Sequence, residues 1–86
     1  FFDPERPVET YYMEVDPGTV FHAKGHVGVV EERVMVIEGQ LKVTVGESGY
    51  LVEAGSSVAF IPDREHVYQN AGEVSAKAIM MLSYLA

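Results

Sequence analysis

Three side chains in this sequence carry the chemistry to act together: His26, Glu32 and His66. His66 stands at period two with Tyr68 and Asn70, so on a strand all three project from one face. Glu32 heads the run Arg33 to Glu38 and shares its strand face with Val34 and Val36. A carboxylate on an apolar face needs a partner, because an unpaired buried charge is costly or takes up a proton instead. His26 is the nearest candidate in sequence. Two histidines and one carboxylate around a cavity suit non-haem iron with open positions and also accommodate zinc, nickel or manganese. The plainer alternative makes His66 a strand histidine bonded to a neighbouring carbonyl, and Glu32 a rim carboxylate on water. Spacing leaves both open.

The remaining polar and soft side chains read as structural. His22 falls in a polar stretch and is expected to be a solvated loop residue. Glu31 points outward where Glu32 points inward. Tyr11, Tyr12 and Tyr50 supply core and edge packing with hydroxyls free to reach water or a partner. Met80 and Met81 read as core or dimer packing and not as a ligand surface. No serine, histidine and aspartate set, phosphate-cradling glycine loop or basic aromatic stripe is present.

The elements that must position these residues are short strands. From Glu9 onward β-like runs are broken by turn residues, and no helical apolar period is sustained. Glu9 to Asp16 reads as a strand closed by Pro17-Gly18. Arg33 to Glu38 is β-branched and continuous, the pattern of a strand buried on both faces. Gln40 to Val45 alternates as a half-buried strand and is expected to form a hairpin with it around Glu38-Gly39. Further turns are expected at Gly46 to Gly49, Ala54 to Ser57 and Ile61 to Asp63, a spacing of roughly eight to ten residues that suits a sandwich or barrel. Val74 to Leu85 reads as a long closing strand, with Val74, Ala76, Ala78, Met80 and Leu82 on one side. Residues 1–8, with two prolines, read as a lead-in arm, and residues 9–86 as one domain.

If Glu32, Val34 and Val36 face a cavity, then Met35 and Ile37 face outward, as do Ile79 and Met81 on the closing strand. Apolar patches on so small a domain predict a two-fold homodimer. With 86 residues there is room for one compact domain with a modest core. Thirteen acidic against six basic residues leave a net charge of -7, which repels phosphate backbones, so direct nucleic-acid binding is not expected. The absence of cysteine removes disulfides and thiolate ligands and fits a cytoplasmic setting, so any metal must be held by nitrogen and oxygen. No run has the length of a membrane span, and the start at Phe1 reads as a cut from a longer protein.

The series Pro17-Gly18, His26, Glu32, Gly39, Gly55, Pro62, His66 and Asn70 resembles the paired motifs of the cupin superfamily. Glu32 and Gly39 have the spacing of the first motif, and His66 and Asn70 that of the second. The second histidine of the first motif falls on Gly28, Val20 stands where its leading glycine belongs, the proline of the second motif is shifted by one, and Arg64 replaces a glycine. More specifically, the YYMEVDPG opening, the EGQLKVTVG core and the HVYQNAGE close are similar to the C-terminal sensor domain of bacterial Xre-type helix-turn-helix regulators. The resemblance implies an all-β fold, a single small antiparallel β-barrel or jelly roll. It implies a three-ligand site for a divalent metal at His26, Glu32 and His66, and a pocket lined by Tyr68, Asn70, Val34 and Val36. The expected partner is a small polar metabolite acting as effector, with a helix-turn-helix domain in the full-length protein. The rival expectation is a freestanding metal-dependent enzyme, a dioxygenase or isomerase; a third is a barrel that serves only to dimerise.

Overall fold

The computed structural model describes residues 8–25 and 27–84. Eight strands make up the regular structure among them: β1 (Val8–Val15), β2 (Val20–Ala23), β3 (Val29–Glu38), β4 (Gln40–Val45), β5 (Ser48–Glu53), β6 (Ser57–Phe60), β7 (His66–Gln69) and β8 (Ala76–Tyr84). They form two antiparallel sheets, ordered β1-β8-β3-β6 and β2-β7-β4-β5. Only β4 and β5 are neighbours in both sequence and sheet. Every other connection carries the chain from one sheet to the other, which is the jelly-roll arrangement expected from the sequence.

β3 is the central strand of the first sheet, with β8 on one side and β6 on the other. Its inner row pairs Glu32 with Leu82 and Phe60, Val34 with Met80 and Val58, and Val36 with Ala78. Val34 and Val36 are fully enclosed, whereas Met35 is 40% and Ile37 46% exposed. The expectation of burial on both faces is therefore corrected for the single chain. The run is rich in β-branched residues, as suits a strand hydrogen-bonded on both edges, while the second sheet covers only one of its faces.

The expected hairpin around Glu38-Gly39 is also corrected, since β3 and β4 lie in different sheets. Gly39 turns the corner with φ 74°, and a Cβ there would lie 2.8 Å from the Ser75 carbonyl oxygen. Only glycine combines that dihedral with so close an approach. The turn at Ala54 to Ser57 likewise passes the chain from β5 to β6 in the other sheet. Gly46-Glu47 does close a two-residue hairpin, with Val45 opposite Ser48.

The inner faces meet in a core of Val15, Val34, Val36, Leu41, Val43 and Val52, completed by Tyr68, Ala76 and Ala78. Burial of each large aliphatic side chain here stabilises the fold by about 1.5–3 kcal/mol. Asn70 is fully enclosed just beyond β7, and its side-chain amide donates to the Val15 carbonyl at 2.8 Å and the Val74 carbonyl at 2.9 Å. Its Oδ1 accepts the Gly72 N–H at 3.0 Å. One side chain thus ties β1 to the loop before β8. That loop takes in Val74, so the closing strand begins at Ala76, later than expected. The expected arm falls largely on residues 1–7, outside the described residues, and Val8 already belongs to β1.

Candidate functional site

Glu32 and the pair His66 and Tyr68 come from opposite sheets and meet in the space between them. Glu32 sits in the inner row of β3, and His66 and Tyr68 in the inner row of β7. Each of the three is 1% exposed. The Tyr68 hydroxyl donates to Glu32 Oε2, and His66 Nε2 lies 3.5 Å from Glu32 Oε1. The other ring nitrogen, Nδ1, is 2.9 Å from the Arg64 carbonyl oxygen. A carbonyl can only accept, so Nδ1 carries a proton and, in the neutral ring, the Nε2 lone pair faces Glu32. The ring is held edge-on to Tyr68, with centroids 5.7 Å apart, and Phe60 packs at 5.4 Å.

Burial dominates the electrostatics of Glu32. Loss of hydration disfavours its charged form and pushes its pKa up to about 7. The carboxyl is consequently poised to exchange a proton near neutrality.

These groups form the floor of a cavity of about 420 Å³. The first sheet contributes Tyr11, Met80, Leu82 and Tyr84 to its walls, the second contributes Phe21 and Ala23, and Lys24 follows directly after β2. At the rim, Glu9 accepts a hydrogen bond from the Tyr11 hydroxyl. The same carboxylate bonds Tyr84, which pushes the Tyr84 hydroxyl up to about 12.

Of the residues expected at the site, Glu32, His66 and Tyr68 converge, while His26 lies outside the described residues. Among the described residues, no three His, Asp, Glu or Cys side chains cluster in a way that could hold a metal. Val34 and Val36 lie in the core behind the floor and not in the cavity lining, and the Asn70 side chain is committed to backbone partners. Met80, expected as packing, is a wall of the cavity. The sequence reading missed β2, and with it Phe21 and Ala23 and the Lys24 that follows the strand. The signal was Phe21, which lies opposite Tyr68 in the sheet, but a four-residue strand is too short to show a period. His22 is on that strand, exposed, with Nδ1 3.9 Å from a Glu65 carboxylate oxygen.

Among the described residues, His66 Nε2 and Glu32 Oε1 are two donors facing one point, one fewer than the three protein ligands of a catalytic metal site. A backbone carbonyl that fixes the Nδ1–H of a histidine is a usual outer support of a metal-ligating Nε2. The 3.5 Å between that nitrogen and Glu32 Oε1 suits two ligands sharing one ion at about 2.0–2.1 Å each.

Comparison with known proteins is consistent with this architecture. The family model described as cupin domain matches residues 11–82. The HTH-type transcriptional regulator SutR of Escherichia coli (strain K12) is 29% identical over 83 residues, which are 96% of this chain and 47% of the regulator. The chain therefore spans about half the length of that curated relative. A solved cupin domain of an XRE family transcriptional regulator from Enterobacter cloacae superposes with a TM-score of 0.84 at 19% identity, covering 95% of this chain and 99% of that one. An HTH_3 family transcriptional regulator from Vibrio cholerae gives 0.83 at 24% identity, over 92% of this chain and 44% of that one. At such identities the two structures speak for the fold alone. With the family match running from β1 through to β8, this chain belongs to the cupin domain family.

Proposed function

We propose that this chain is the effector-sensing domain of a transcriptional regulator, holding a small metabolite between its sheets. The observation that carries the reading is the cavity itself, with largely apolar walls and a floor of three buried polar groups, the mixture typical of small-molecule sites. The relationship to an HTH-type regulator supplies the context: DNA would be contacted by a helix-turn-helix domain elsewhere in the protein, in the cytoplasm, and not by this acidic domain. Screening metabolites by thermal shift tests it. A ligand at about a hundred times its Kd adds about 2.7 kcal/mol. The expected hit raises the melting temperature and is recovered chemically unchanged, whereas turnover of the hit would establish the dioxygenase or isomerase reading instead.

His66 and Glu32, with His26, would hold a divalent ion such as zinc, iron, nickel or manganese at the floor. A bound ion would supply an open coordination position to the metabolite. Glu32 must give up its proton for this, so metal affinity should rise with pH up to about 7. Protein purified without chelator, or reloaded with zinc or iron, is expected to carry metal that His66→Ala loses. Equal and negligible metal in both after reloading would remove the ion from the proposal.

Signalling would pass through a homodimer. Tyr12, Ile79 and Met35 form a cross-strand row on the outer face of the first sheet, beside Met81 and Ile37, and this apolar face is self-complementary in character. Analytical ultracentrifugation at micromolar concentration should give a dimer, and Met35→Glu should convert it to the 9.5 kDa monomer. A wild-type monomer would discard the dimer as the signalling element.

A further inference from the structure

The cavity walls say more about the ligand than that it is small. Phe21 is 55% exposed although it is a large aromatic, and it lies between this cavity and an adjoining one of about 290 Å³ lined by Met13, Glu14, Val15 and Thr19. Leaving that ring in water is unfavourable, and an apolar body laid along it would remove the cost. Across the gap stand Tyr11, Met80 and Leu82. A fully polar metabolite would desolvate against these walls without compensation.

Lys24 is the one cation on this lining. Arg33, Arg64 and Lys77 are paired with Glu31, Asp63 and Glu38, whereas Lys24, like Lys42 on the other sheet strand β4, makes no ion pair among the described residues. Its backbone is held in place by the next residue. A Cβ on Gly25 would lie 2.8 Å from the Asp63 carbonyl carbon and oxygen and 2.9 Å from the Arg64 nitrogen, so the chain packs there at a distance only glycine allows. Arg64 also supplies the carbonyl that orients His66. The loop at Asp63-Arg64 thus packs against the backbone next to Lys24 and orients the histidine at the floor. The nearby Glu9 carboxylate is occupied by tyrosine hydroxyls.

We infer that the ligand is an organic carboxylate with a ring-sized apolar body, the body lying along Phe21, Met80 and Leu82 and the carboxylate paired with Lys24. In a protein of net charge -7, a single placed ammonium at an apolar mouth selects an anion that the rest of the surface repels. The inference rests on the reading of the cavity as an effector site and narrows it from metabolites in general to amphipathic acids.

Phenylacetate, phenylacetamide and phenethylamine share one apolar body and differ in charge. Their titration into the chelator-treated 86-residue chain, followed by backbone amide NMR shifts, tests the assignment. Phenylacetate is expected to shift Phe21, Ala23 and Lys24 and to bind about fivefold more tightly than the amide, an advantage that shrinks with added salt. The amine should be weakest. Lys24→Gln should bring the acid down to the level of the amide and leave the amide unchanged. An amide that binds as well as the acid, or an acid indifferent to Lys24→Gln, would overturn the anion while the cavity resonances still report a binding site. Acid binding that is present in a parallel titration of untreated protein and absent after chelator treatment would place the carboxylate on the metal and overturn the role of Lys24. No cavity shift with any of the three at millimolar concentration would overturn the effector cavity and this inference together.

Discussion

Asn70→Ala is expected to lower the unfolding free energy by about 3–5 kcal/mol, from three lost hydrogen bonds and the void left by the amide. The buried Val15 carbonyl, together with the part-buried Val74 carbonyl and Gly72 N–H, would lose its partner at once. For a domain of this size each kcal/mol is worth roughly 4–8 °C in melting temperature, so the variant should melt at least about 12 °C lower. Because total stability is of order 5–15 kcal/mol, much of the margin would be gone. Urea denaturation measures the loss, and metal content per folded molecule should be unchanged. A loss below about 1 kcal/mol accompanied by weaker ligand or metal binding would show instead that Asn70 belongs to the site.

The second large effect is on pH dependence. Glu32 titrates near 4.5 in the unfolded chain and near 7 in the folded one, because burial favours the neutral carboxyl. Below pH 4.5 both states hold the proton and its contribution to stability is complete. Between 4.5 and 7 the unfolded chain releases the proton while the folded chain keeps it, so stability declines as pH rises. Above about 7 the decline stops, after a total loss on the order of 3 kcal/mol. Glu32→Gln keeps an acceptor for the Tyr68 hydroxyl and cannot ionise, so it should remove this portion of the slope. General repulsion among thirteen acidic residues pushes in the same direction, and the difference between wild type and variant cancels it. Identical slopes in the two proteins from pH 4.5 to 7 would show that Glu32 holds its proton no more firmly in the folded chain than in the unfolded one.

Much of this molecule can be read from the order of its residues. Alternation placed Glu32 with Val34 and Val36, and His66 with Tyr68 and Asn70, on inner strand faces, because side chains on a strand alternate strictly whatever the strand packs against. Turn chemistry marked Pro17-Gly18 and Gly46-Glu47, since local dihedral preference acts before any tertiary contact. What the order of residues left open was which strand meets which. A glycine between two strands serves a hairpin or a corner equally well, and Gly39 proved to be a corner because the Ser75 backbone lies against it. The same limit applied to the site. Val34, Val36 and Asn70 share faces with cavity residues yet lie deeper, while Phe21, from a strand too short to show a period, and Lys24 just after that strand line the cavity. Depth along an inner face, and the proximity of Glu32 to His66 across the sandwich, come from the stacking of two sheets, which joins residues distant in the chain and has no signature in local sequence.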